Sequence, residues 1–210
     1  MPTPEEILNG LTLAANNYIW VSIAWHIVIL GIIIILVSGR TFNTKHISAG
    51  LAIFLLSVGM IAVLVSNPFN AIMFTLAALL FGIFTLQFRP VQVGLSWDLV
   101  SIAGLIFLIF GFIYPHFLES RSWISYLYAS PMGLIPCPTL SAFIGITLML
   151  KGFGSKKFML SASLIGLFYG IFGVLRLKVY LDVVLIAGAL FMLIFAFSIK
   201  NIKQTKINVY

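Results

Sequence analysis

The residues whose types and spacing could do chemistry gather in Ser130-Pro-Met-Gly-Leu-Ile-Pro-Cys-Pro-Thr139. Cys137 is the single cysteine, which rules out an intramolecular disulfide framework and a cysteine-based zinc finger. Pro138 suits the first position of a helix, because the N–H it lacks is one that a first turn leaves unpaired. That makes Cys137 the expected N-cap, with Thr139 and Ser141 adding hydroxyls to the first turn. Free amides and the positive end of the helix dipole would face whatever sits there. A thiol in such a place is a better nucleophile or metal ligand than one on an exposed chain. The break therefore reads as a solute, ion or redox site, or else as a structural kink in which Cys137 is a small buried hydrophobe.

Other candidates lie further off. His26 follows Trp25 near the middle of an apolar stretch, where an ionisable residue is a functional pointer. The alternative is a neutral imidazole bonded to a neighbouring helix. His116, Cys137 and Met132 would make a soft metal set, and His26 with His116 could be axial haem ligands. Neither set has a diagnostic spacing. His46 sits among polar residues and reads as solvated. Arg176, Lys178 and Asp182 crowd one short turn; with Glu119 and Arg121 they could frame a vestibule, although surface pairing is the plainer expectation. Asp98 could pair with Arg89.

The elements that must position these residues are apolar. Hydrophobic residues make up 61% of the 210 positions and charged residues 8%, far from the roughly one quarter charged of a soluble domain. The net charge of +7 does not point to nucleic acid, since Lys and Arg are scattered singly between apolar runs. The runs predict an all-α membrane protein forming one integral membrane domain over residues 1–210. Its seven expected spans are 17–38, 47–66, 70–88, 96–115, 132–150, 158–175 and 180–199. Only the twelve residues from Thr139 to Leu150 of the fifth run are uninterrupted, about 18 Å of helix against a hydrocarbon core of about 30 Å. The fifth helix is thus short, or broken at Pro136-Cys137-Pro138. Either way irregular backbone lies at membrane depth, which requires burial in protein or a wet cavity.

Orientation follows from the basic residues. With the N-terminus outside and the C-terminus cytoplasmic, Arg40, Lys45, Arg89, Lys151, Lys156, Lys157, Lys200, Lys203 and Lys206 fall inside. Only Arg121, Arg176 and Lys178 fall outside. The cell membrane is the expected location and the lipid bilayer the expected partner. Ahead of the first span, Thr3, Pro4 and Glu6 have the pattern of a capping box, predicting a helix over residues 4–15. It lies on the membrane surface with Ile7, Leu8 and Leu11 towards lipid, or it caps the bundle. Asn67-Pro68-Phe69-Asn70 reads as a tight turn. Gly166-x-x-x-Gly170 with Gly173 gives the sixth span a close-packing face, and Gly50, Ser57 and Gly59 could do the same in the second.

The last span has no lysine at mid-depth, so a retinal Schiff base is excluded. No zinc-protease, serine-hydrolase or phosphate-loop signature is present. Asn17-Tyr18 with Trp20, Asn67-Pro68, Tyr114-Pro115 and above all Pro136-Cys137-Pro138-Thr139 carry a resemblance along essentially the whole chain. In these the chain resembles a family of small prokaryotic multi-pass membrane proteins defined only as a domain of unknown function. The resemblance implies a fold and an important Cys137, and no reaction. Binding or translocation of a small solute or ion near residues 136–139 is the leading expectation. A thiol, metal or haem enzyme and a non-catalytic subunit or sensor are the alternatives.

Overall fold

The computed structural model describes residues 3–119 and 122–198. Arg121, Lys200, Lys203 and Lys206, which the orientation and vestibule readings use, lie outside the described residues, as does residue 199 at the end of the seventh expected span. Nine helices follow one another among the described residues: α1 (Pro4–Asn17), α2 (Ile19–Val37), α3 (Thr44–Leu64), α4 (Pro68–Gln87), α5 (Leu99–Ile113), α6 (Tyr126–Ala129), α7 (Pro136–Met149), α8 (Lys156–Leu175) and α9 (Val183–Ser198). Helices α2, α3, α4, α8 and the stretch Tyr180–Ser198 are long and apolar enough to cross a membrane. Large apolar side chains such as Ile27, Ile53, Leu86 and Ile194 face outward from them, a surface suited to lipid rather than water. Helices α5 and α7 have 15 and 14 residues, about 22 and 21 Å at the helical rise.

Helix α1 starts as its sequence predicts. Thr3 Oγ1 accepts from the Glu6 N–H at 3.2 Å, and Glu6 Oε2 accepts from the Thr3 N–H at 2.7 Å. Ile7, Leu8 and Leu11 pack with Tyr114, Leu134, Leu177 and Val179. That face is covered by protein, so α1 caps the bundle and the lipid-facing alternative does not hold. At the next turn Asn67 Oδ1 accepts from the Asn70 N–H at 3.1 Å and Pro68 takes the first helical position, closing the α3–α4 hairpin. A short antiparallel ribbon, β1 (Phe42–Asn43) with β2 (Gln92–Val93), ties two loops at the opposite end.

Helix α7 is the centre of the bundle. It packs against α3, α5, α8 and α9, and every residue in it except Cys137 is buried. An all-round apolar helix of this kind is a core element. Its approach to α5 depends on glycine: a Cβ on Gly104 would lie 2.6 Å from the Gly145 carbonyl oxygen, and one on Gly111 2.5 Å from that of Pro138. Glycines 166, 170 and 173 of α8 face Ala189, Ile186 and Asp182, the close-packing face expected of that span. In α3 only part of the expected stripe packs closely: Gly59 approaches Thr75 of α4 and the Ser57 hydroxyl bonds the Gly133 carbonyl, while a Cβ on Gly50 would meet nothing within 4 Å.

The break before α7 differs in register from expectation. The N-cap is Ile135, Pro136 is the first helical residue, and Cys137 lies within the first turn. The physical reason is that Pro138 also falls in the first turn, where an absent N–H costs no intrahelical bond. The irregular residues 130–135 are all buried. Gly133 has φ +80 and sits where any Cβ would run into Trp25 of α2, so only glycine fits this bend.

Candidate functional site

A cavity of about 350 Å³ opens at the head of α7. Ile135, Pro136 and Cys137 form one wall, the last two turns of α8 another, and the start of α4, Ile7 and Leu11 of α1, Phe117 and the turn from Arg176 to Asp182 the rest. The wall is overwhelmingly apolar. Asn67, Asn70, Tyr169, Arg176, Cys137 and Asp182 are its polar contributors.

Asp182 is the most consequential of these. It belongs to a single 3-10 turn, Tyr180–Asp182, ahead of α9, and is 1% exposed. The Tyr114 hydroxyl donates to its Oδ1 at 2.7 Å and the Cys137 thiol donates to its Oδ2 at 3.1 Å. Gly173 makes the space: a Cβ at that position would collide with the carboxylate. Asp182 therefore does not pair at the surface with Arg176 or Lys178, as the crowding of those residues suggests. Its only hydrogen-bond donors from side chains are neutral, and no ion pair reaches it among the described residues. Opposite, the Tyr169 hydroxyl donates to Asn70 Oδ1 at 3.1 Å, fastening α8 to α4 beside the cavity.

The expected site residues separate. Cys137 is half-buried and lines the cavity. Thr139 is buried and structural: its hydroxyl donates to the Ile135 carbonyl at 2.6 Å and accepts from the Gly133 N–H at 2.8 Å, holding the bend. Ser141 is buried in α7, and its hydroxyl has no hydrogen-bond partner. Neither Thr139 nor Ser141 lines the cavity. His26 is buried, with Nδ1 2.8 Å from the Ser22 carbonyl oxygen and Nε2 2.8 Å from that of Phe112. A backbone carbonyl oxygen thus faces each ring nitrogen, which ties α2 to α5 and leaves neither nitrogen turned towards an axial position. His116 packs edge-on against Phe117 at 4.2 Å and does not line the cavity; its burial lowers its pKa. Met132 is wholly buried in the central core. Among the described residues no three of His, Cys, Asp and Glu gather where they could hold a metal ion.

Asp98 also finds a different partner. It pairs with Lys151 at 2.6 Å, not Arg89, because the close α5–α7 packing brings the turn after α7 to the start of α5. His46 is exposed, as its polar neighbourhood suggests. Tyr114, Asn70 and Tyr169 are site residues that sequence reasoning missed, and Asp182, which it placed in a surface turn, is buried. The usable signal was Asp182 itself, an acid two residues inside an apolar run, where ionisable groups mark function. No family model, curated protein or solved structure matches the chain.

Proposed function

We propose that this is a cell-membrane protein of seven spans, N-terminus outside, that binds a small apolar solute in the cavity at the head of α7. One observation carries the proposal: a preformed cavity of about 350 Å³, apolar but for a few convergent polar groups, has the size and character of a small-molecule site. Helices α5 and α7 count as the fourth and fifth spans, the latter completed by the irregular buried segment 130–135. Arg40, Lys45, Arg89, Lys151, Lys156 and Lys157 cluster at the end away from the cavity, which favours a cytoplasmic position for that end. Beyond Cys137 the whole of α7 is buried, so this conformation supports binding rather than passage.

The experiment is modification of Cys137 in intact cells by a small membrane-impermeant thiol reagent. Labelling from outside, slowed by small apolar solutes, is the expected result. Labelling only after permeabilisation would reverse the orientation, and labelling that no solute slows would remove the binding role.

A further inference from the structure

Resting on the reading of the cavity as a binding site, we propose that its solute is a hydrophobic ammonium compound, with the cation held by Asp182 and the aromatic wall. Two independent features of the cavity converge on this class. The first is charge. Asp182 is 1% exposed and receives only a hydroxyl and a thiol, while the one ion pair among the described residues, Lys151 with Asp98, involves neither it nor any other cavity residue. A buried carboxylate is tolerated when it is both hydrogen-bonded and paired with a cation. Two donors leave part of its acceptor capacity unused. Arg176 lines the cavity but is exposed and makes no ion pair with Asp182.

The second feature is an aromatic group in the wall of the same cavity. Phe69, Phe168, Tyr169 and Phe172 all line the cavity and pack as one group, with Phe69 and Phe172 stacked at 6.3 Å and Phe168 and Tyr169 edge-to-face at 5.3 Å. Aromatic rings attract cations, Lys, Arg and ligand ammonium groups alike, and more strongly where water is excluded. An anionic solute would bring like charge against Asp182, and a neutral one would leave the carboxylate without its counter-ion.

The test is equilibrium dialysis of the full chain in lipid nanodiscs, with empty nanodiscs as blank, against three labelled probes of one shape at pH 7.5: cyclohexylmethylammonium, cyclohexylmethanol and cyclohexanecarboxylate. The expected order is ammonium tightest, at least roughly tenfold over the alcohol, as one charge-pair's worth of discrimination in a partly desolvated site implies. In Asp182→Asn the preference for ammonium over the alcohol collapses. The wild-type comparison decides even if the variant fails to fold. Alcohol or carboxylate binding as tightly as ammonium overturns the cation inference and leaves an apolar-solute site standing, with a carboxylate preference pointing to Arg176. No specific binding of any probe removes both.

Discussion

The Cys137 thiol donates to the Asp182 carboxylate across 3.1 Å, joining the first turn of α7 to the turn ahead of α9. The same carboxylate accepts from Tyr114 at the end of α5. Three helices of the bundle are therefore fastened at one buried acid, and two of its members, Cys137 and Asp182, line the cavity.

Removing one donor tests this directly. Cys137→Ala leaves Asp182 Oδ2 without its side-chain donor in a buried setting, at a cost of about 1–3 kcal/mol. Cys137→Ser keeps a donor of similar size and loses less. Thermal unfolding of the purified protein in detergent separates the two; equal losses would show that the thiol acts only by filling space.

Gly173 makes a sharper case, because a Cβ there would occupy the position of the Asp182 carboxylate. Gly173→Ala forces the acid out of its pocket, with an overpacking cost of about 1–3 kcal/mol and loss of probe binding in the cavity. Gly31→Ala is the matched control. Nothing lies within 4 Å of a Cβ at Gly31, so the added methyl gains about 0.5–1 kcal/mol of helix stability. A Gly173→Ala protein as stable as the control would contradict the packing described.

Hydropathy is a property of neighbouring residues, and what depends on it was legible in the sequence. The five long apolar helices, the capping box at Thr3 and the Asn67-Pro68 turn all follow from local patterns. The fourth and fifth runs were apolar over more residues than are helical, since hydropathy does not distinguish helix from buried irregular chain such as 131–135. The site was harder to see because its partners are remote. Asp182 meets Tyr114 and Cys137 from 68 and 45 residues away, and the residue that admits it, Gly173, has no side chain to announce a role. The stripe of glycines marked a packing face without saying that a carboxylate would be among the things packed. At the break the Pro-Cys-Pro run gave two allowed helix starts, and local chemistry alone did not choose between them.

At the opposite end, Asp98 serves two purposes that substitution can divide. Its Oδ1 accepts from the Ser101 N–H at 3.0 Å as the N-cap of α5, and its Oδ2 pairs with Lys151. Asp98→Asn keeps a good cap and loses the ion pair; with both side chains well exposed, the change is expected to cost under about 1 kcal/mol. Asp98→Ala loses the cap as well, at about 1 kcal/mol more. If Asn and Ala prove equivalent in thermal unfolding, the cap contributes nothing.

His116 gives the protein a pH dependence whose direction is fixed by burial. Burial disfavours the charged imidazolium, so the folded pKa lies below the ordinary value of 6.5. The unfolded chain then binds the proton more readily, and stability rises with pH across the interval between the two values. The contribution of His116 is complete above about pH 6.5 and is lost as pH falls through that interval. Unfolding midpoints measured from pH 7.5 to pH 5 should fall less in His116→Gln than in wild type, because glutamine has no proton to take up. Parallel curves would mean that His116 is as solvated in the folded protein as in the unfolded chain, and that its edge-on packing against Phe117 is not maintained in solution.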